Sequence, residues 1–573
     1  MAVPGPSHQY DVVIVGGGPV GLLLAFQLRQ FGATVCVFEQ HLKETQDAYG
    51  RAIALFPRTL ELLAQLGVID PMLQLGFACR SSVTYKDGER VLPGRVWTFM
   101  ENIKDTAYDF TLVLRQMYTE AILRQNLECV GAIYHQGMEC VDFVCDDAAG
   151  AGDFPVTSTF KDTTTQTTLA IKSKYIVGAD GGRSFVRRHA QIPFNGDTSE
   201  DKWIRIDGIV ETDMPITRAY GAIESKTHGN VLWAPLDHGA TRIGYAYSAD
   251  IAAKYPQGVT QEVAVQEAIE CMKPFKLQFK EVHWWTLYTI GQRVADSFST
   301  RDRIFLCGDA AHTHSSGAAQ GLNTGIHDAV NLGWKLALEI QGIARPEVLK
   351  TYSSERLAAV QKLIDYDKDI SLLMSNKWPA WYTGDPDADP HLVLGEIFEK
   401  AASFNTGLGI SYPENTVNHV RSSAVTCSLT PGSRPPDVTF KRPGTHQSVR
   451  LQEITPNQAN FWVLVFTGNG ESHIQGLIRD LELYLDTASK VTSCKAVKWL
   501  TVITGAGSSP YEAMGRKPFG DAYFDSGDVA HAKLEIDINQ GAVVILRPDG
   551  LIGAVGDISG RWIYEYFCST LLL

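Results

Sequence analysis

The chain has 573 residues, 45% apolar and 20% charged, which is more than one hydrophobic core usually serves, so two or three domains are expected. A formal charge of −13 and a pI near 5.6, with no basic run, speak against a phosphate-backbone partner, and no nucleic acid is expected. Ten cysteines without a C-x-x-C pair argue against a zinc ribbon, a dithiol redox site or a secreted disulfide framework, and make the cytosol (cytoplasmic) the expected compartment.

The chain opens as strand, glycine turn, helix, strand: Asp11–Val15, Gly16–Gly21, Leu22–Phe31, Thr34–Glu39. The apolar run Val12 to Phe26 is interrupted by Gly16, Gly17, Gly18 and Pro19 and lacks a basic n-region, so it reads as fold and not as a signal or membrane span. Helix-like stretches follow at Thr59–Leu66 and near Thr111–Leu127. From Trp203 to Tyr247 short alternating segments predict an antiparallel sheet that covers a ligand. Beyond Gly321, Ile326, Ala329, Val330, Gly333, Trp334 and Ala337 mark one buried helix face, and a more polar helix runs to about Met374. Ser375 to Asp389 reads as an irregular connection. Leu429–Pro436 (LTPGSRPP) is the expected domain boundary, with buried strands beyond it at Phe461–Phe466 and Ala542–Leu546.

The sharpest local motif is Gly16-x-Gly18-x-x-Gly21, set between a strand and a helix. The first glycine permits the tight turn, the second lets backbone amides approach a pyrophosphate, and the third allows close helix packing. Glu39 closes the next strand, where a carboxylate grips unphosphorylated ribose hydroxyls, so a dinucleotide such as FAD or NAD is expected. Two more apolar strands run into acidic turns: Ile176–Arg187 (IVGADGGRSFVR) and Ile304–His312 (IFLCGDAAH).

Together these three blocks resemble the FAD motifs of the group A FAD-dependent aromatic monooxygenases. The likeness extends through Gly50–Leu66, Tyr288–Arg293 (YTIGQR), Gly321–Ala337 and Leu349–Arg356. The branch most resembled is that of the phenol hydroxylases, with a C-terminal thioredoxin-like domain. The resemblance implies an α/β fold in which a Rossmann-type FAD-binding domain is interleaved with an antiparallel substrate-binding sheet, mainly 80–110 and 200–290. These make up 1–428, and a thioredoxin-like α/β domain occupies 429–573. Lacking C-x-x-C, that domain is expected to serve structure or a homodimer and not thiol exchange.

The resemblance further implies hydroxylation of an aromatic or phenolic small-molecule substrate with NAD(P)H and O₂ through a flavin C4a-hydroperoxide. Arg51 and Gln116 would contact the flavin diphosphate or ribityl region, although each alone is more often a surface side chain. Asp309 would accept from ribityl hydroxyls, or else cap a helix. Amides at Gly321, Leu322 and Asn323 would stabilise negative charge on the reduced ring. Asp180 and Arg183 belong to the second motif, where a turn cap and a local ion pair are the bland alternatives. Tyr288 would orient substrate, and Arg293 would stand near the flavin or form a structural ion pair.

Two departures matter. Where phenol hydroxylases carry an aspartate base this chain has Ile53, and loss of a positioned base costs about 10²–10⁴-fold in rate. Baeyer–Villiger insertion, epoxidation or a non-oxygenating cyclisation on a polyketide- or terpenoid-like substrate is the alternative, with a non-catalytic flavin-binding protein as a third. The run from His312 to Gln320 replaces a Pro- and Gly-rich stretch; its histidines lack a third ligand for a metal, and a hydrogen-bonding turn is expected there. Of Trp203, Tyr220, Trp233, Trp284 and Trp285, most are expected in the core and one or two against ligand.

Overall fold

The structure, a computed structural model, describes residues 9–43, 50, 52–146, 150, 153–315, 317–374, 377–385, 387–419, 425, 427–470 and 472–573. Three large sheets organise it. The first contains, in spatial order, Ser299–Thr300, Ile304–Leu306, Thr168–Gly178, Gln9–Val15, Val35–Glu39 and Ile133–Gln136. Its middle strands run parallel, and Val12, Val13 and Ile14 are fully buried, as expected for strands covered on both faces. Met138–Cys145 and Val156–Asp162 extend Thr168–Gly178 as an antiparallel flap.

The helix Pro19–Gln30 begins with proline at its first position, where the missing N–H costs nothing. It packs on Gly321–Ile340, a helix in which 17 of 20 residues are buried and which therefore runs through the middle of the protein. Its N-terminal end faces the glycine turn. Close contact is possible because a Cβ on Gly325 would come within 2.6 Å of Val20.

The second sheet runs His312–Thr313, Leu277–Ala295, Phe194–Thr212, Thr241–Tyr247, Gly229–Pro235, Tyr220–Ser225, Ser82–Lys86 and Glu89–Arg90. The antiparallel sheet expectation is corrected in one respect: Ser82–Lys86 pairs parallel with Tyr220–Ser225, so the sheet is mixed. A second correction concerns Thr111–Leu127. Thr111–Val113 is a strand between Ala54–Leu55 and Phe77–Cys79, and the helix is Gln116–Cys129. Long-range pairing overrides the helical pattern there. The polar helix is Pro346–Met374, and the irregular connection holds in its described part, where Trp378 stacks on Tyr382 at 3.8 Å.

The third sheet orders Ser448–Arg450, Thr439–Lys441, Asp521–Asp525, Val497–Thr504, Phe461–Phe466, Ala542–Leu546 and Ile552–Gly556. Phe461 meets the ring of Trp334 edge-on at 5.7 Å, and Trp334 Nε1 donates to Asp549 at 3.2 Å. Deeper still, Glu355 accepts from Lys335 at 2.8 Å and from Arg547 at 2.6 Å, all with buried side chains. Burial pushes the Lys335 ammonium down to about 8 despite Glu355. No helix among the described residues is long and apolar enough to cross a membrane.

Candidate active site

The three motif turns leave adjacent parallel strands at the same end. Ala179 N donates to Val15 O at 2.8 Å, Cys307 N to Gly178 O at 2.9 Å, and Gly16 N to Phe38 O at 2.8 Å. Strand register thus brings residues 16, 180 and 308 to one edge, the usual ligand position in a parallel sheet. Gly16 has φ +108°, and a Cβ there would lie 2.3 Å from Ala179 O; a Cβ on Gly21 would lie 2.1 Å from Gly16 O. Gly18 differs: nothing comes within 4 Å of its Cβ position, so this face is open to a ligand. As the N-cap it has no side chain to satisfy the helix amides, which are left to bind an anion. Glu39 is buried and fixed, accepting from Gly17 N at 2.7 Å and His41 N at 2.9 Å.

Asp180 Oδ2 accepts from Phe185 N at 2.7 Å and Val186 N at 3.1 Å, capping the short helix Phe185–His189. The turn-cap alternative therefore describes one of its oxygens. The other, Oδ1, is buried without a protein partner, and burial pushes the carboxyl above its ordinary range. Arg183 is exposed. Sequence reasoning overlooked Arg187, whose Nη1 donates to Ala310 O at 2.8 Å and Nη2 to Gly182 O at 3.0 Å. Its guanidinium lies 3.7 Å from the Phe194 ring centroid and ties the second motif to the third.

At the third motif Asp309 is exposed, while Gly308 N donates to Asp328 Oδ2 at 2.9 Å. His312 Nε2 reaches the same oxygen at 2.8 Å, and Arg356 Nε donates to Oδ1 at 2.6 Å. Burial works against the Asp328 charge, but Arg356 and His312 outweigh it and hold the carboxyl at about 2. The histidine run is thus a hydrogen-bonded turn in its described part; Ser316 lies outside the described residues. Ser315 donates to Asp367 through its amide at 2.7 Å and its hydroxyl at 2.6 Å. His314 Nδ1 lies 2.8 Å from Ser315 O, while its Nε2 is buried with no protein partner.

Gly321, Leu322 and Asn323 form the first turn of their helix, and Gln320 supplies no side-chain cap. Asn323 Oδ1 accepts from Phe56 N at 2.8 Å and Nδ2 donates to Ala54 O at 2.9 Å, so its side chain anchors residues 54–56. The backbone amides of this turn have no intrahelical acceptor. Gln116 Nε2 donates to Glu120 at 2.9 Å, and its side chain lies 2.1 Å from the Cβ position of Gly50. Arg51 lies outside the described residues.

The second sheet carries two distinct faces. In register, Trp203 opposes Tyr288 and Asp207 opposes Trp284. Arg205 lies 5.1 Å from the Trp203 ring centroid and 5.7 Å from that of Tyr288. Arg242 donates to both oxygens of Asp207, at 2.6 and 2.8 Å. Trp233 and Trp285 instead pack on the outer side, in the same apolar cluster as Ala264 and Ala268. Arg293 opposes Thr313 across the sheet edge, and its neighbour Gln292 donates to Asp367 at 2.8 Å. Ile53 is 5% exposed, in an apolar cluster with Trp97, Phe99, Tyr220 and Phe398.

A dinucleotide fits these residues. The open face at Gly18, the uncapped amides at two helix starts and the unpartnered Asp180 Oδ1 and His314 Nε2 all call for polar ligand atoms along one edge.

A family model described as an FAD binding domain matches residues 9–367. Another, the phenol hydroxylase C-terminal dimerisation domain, matches 514–572. A 3-hydroxybenzoate 4-monooxygenase of Comamonas testosteroni is 30% identical over 608 residues, covering 96% of this chain and 94% of that protein. The phenol 2-monooxygenase fsqG of Aspergillus fumigatus is 28% identical over 578 residues, with 96% and 94% covered. Among solved structures, aklavinone-11 hydroxylase in a ternary complex with FAD and aklavinone superposes with a TM-score of 0.73 at 20% identity, over 98% of this chain and 99% of that one. That likeness shows a shared fold.

Proposed function

The chain belongs to the FAD-dependent aromatic monooxygenases, and from that premise we propose that it hydroxylates a phenolic or other electron-rich aromatic molecule using NAD(P)H and O₂. The observation that carries this reading is the convergence of the turns at Gly16, Asp180 and Gly308 on one sheet edge. Bound FAD supplies the chemistry that passes electrons from NAD(P)H to O₂.

The chain's own residues bind, orient and exclude water. Glu39 holds the glycine loop and offers its remaining lone pairs to ribose hydroxyls. With FAD bound, the helix start at Gly18 would hold the diphosphate together with Gln116 and Arg51, and Asp180 and Asp309 would hold the ribityl hydroxyls. The turn at Gly321, Leu322 and Asn323 stabilises negative charge on the ring. Tyr288 orients the substrate oxygen beside Arg205, and Arg293 secures the sheet edge next to the flavin. The apolar cluster around Ile53 keeps water from the reacting centre.

The C-terminal region acts as a thioredoxin-like module supporting a homodimer. Its strand–helix–strand from Phe461 to Thr504, followed by the hairpin Ala542–Gly556 and the helix Gly560–Thr570, supports this, as does the dimerisation match.

Purified protein should be yellow and, with substrate, should consume NAD(P)H and O₂ in equal amounts while forming an oxygenated product. The apolar Ile53 favours one competing reading, a cyclisation or rearrangement that uses the flavin scaffold without oxygen. Product formed under argon without NAD(P)H would establish that reading and end the first.

A further inference from the structure

His314 follows the short strand His312–Thr313 beyond the third motif, and its two ring nitrogens have different fates. A carbonyl can only accept, so the 2.8 Å contact with Ser315 O places a proton on Nδ1. Nε2 is then the acceptor of the neutral ring. It is buried, has no protein partner, and lies 3.8 Å from where a Cβ on Gly321 would sit. It therefore stands at the uncapped start of the central helix, where amides favour negative charge.

Two ion-paired groups flank this stretch. His312 lies near-parallel at 6.5 Å, backed by Asp328 and Arg356. Asp367, from the helix Pro346–Met374, holds Ser315, and Arg293 lies on the strand paired with Thr313. These charged groups are engaged with His312, with Ser315 and with one another, and none of them bonds Nε2. A new charge on the ligand therefore governs the protonation of Nε2.

We propose, on the reading that this chain binds FAD, that His314 Nε2 contacts the pyrimidine edge of the flavin and takes up a proton when the flavin is reduced. Two electrons and one proton convert the oxidised ring to its anionic reduced form, and the new charge beside the helix start draws a second proton from solvent to Nε2. Reduction then consumes two protons per two electrons wherever Nε2 is unprotonated beside oxidised FAD and protonated beside the reduced ring. By linkage, the protonated imidazolium favours the reduced flavin to the same extent.

The test is the midpoint potential of the FAD-loaded protein against pH, measured by dithionite titration with a reference dye over about pH 5 to 8, where histidine titrates. His314→Asn keeps a donor for Ser315 O, and His314→Gln keeps a polar group near the Nε2 position; neither titrates. Wild type should show a segment steeper by one proton per two electrons, and both variants should lack it. Loss of FAD from both variants, with wild-type circular dichroism and melting, would also support the contact. Equal slopes in wild type and variants would overturn the proposal. A wild-type protein that takes up no FAD would instead overturn the functional reading.

Discussion

Asp328 Oδ2 stands 2.8 Å from His312 Nε2 and accepts the amide of Gly308 at 2.9 Å, so one buried carboxylate fixes both the acidic turn and the strand that follows it. Its other oxygen holds Arg356, whose Nη1 donates to Tyr412 at 2.8 Å. The edge facing the dinucleotide is thus positioned by a charge set 19 residues beyond Asp309 along the chain.

Asp328→Asn leaves Arg356 buried without its anion, and breaking such a pair costs about 3–5 kcal/mol. Thermal melting should fall together with FAD content read from flavin absorbance. A variant that melts like wild type would refute this role. The pH dependence has a definite sign: a carboxyl held at about 2 in the folded protein contributes stability above its unfolded value of 3.8, lost as pH falls through about 2. Denaturant titrations between those limits should show wild type losing about 2 kcal/mol more than the variant.

Gly21→Ala and Gly18→Ala separate packing from ligand approach. A Cβ on Gly21 meets Gly16 O at 2.1 Å, an overpacking that costs about 1–3 kcal/mol and should lower both melting temperature and FAD affinity. A Cβ on Gly18 meets no protein atom within 4 Å. Gly18→Ala should leave melting of the FAD-free protein unchanged and still weaken FAD about tenfold or more in fluorescence titrations, roughly 1.4 kcal/mol. Unchanged affinity would move the ligand away from this turn.

The strand-to-turn frame of this edge was legible in the sequence because glycine spacing and apolar-to-acidic transitions are local signals. Gly16, Gly18, Asp180 and Asp309 lie on turns, Gly21 in the helix that follows and Glu39 at a strand end, all set by their near neighbours in sequence. Arg187, Asp328 and Arg356 were not legible as anchors. Each is a charged residue in a helical stretch, which ordinarily reads as a solvated face, and its partner is distant in sequence. Thr111–Val113 was hidden for a related reason, since it is a strand only through pairing with residues 54–55 and 77–79. Which tryptophans face inward depended on the register of Phe194–Thr212 with Leu277–Ala295, and bulges in that pairing make alternation a poor guide.

The Glu355 cluster predicts an asymmetry between its partners. Burial acts against the Glu355 carboxylate, yet Arg547 and Lys335 hold it well below the ordinary range, whereas burial prevails at Lys335. Glu355→Gln should destabilise by about 3–5 kcal/mol, because two buried cations lose their shared anion. Lys335→Met removes a disfavoured charge at similar volume and should cost much less. Wild-type stability should also rise between about pH 8 and the unfolded value of 10.5, since the folded protein releases the Lys335 proton first. Equal losses in the two variants by denaturant titration would show that the cations do not depend on Glu355.

Ile53→Asp tests whether the missing acid is an omission or a feature of this pocket. The side chain is buried among Trp97, Phe99, Tyr220 and Phe398, and its backbone carbonyl is already engaged by Leu114 N at 2.8 Å. A carboxylate placed in this apolar cluster would lose its hydration, and desolvation would raise its pKa and favour the neutral acid. The expected outcome is a loss of about 2–4 kcal/mol at neutral pH, shrinking as pH falls and the acid protonates, with no gain in phenol-dependent NAD(P)H oxidation. Turnover of a simple phenol rising tenfold or more would show instead that the site has room and solvation for a base, and that Ile53 alone restricts the substrate.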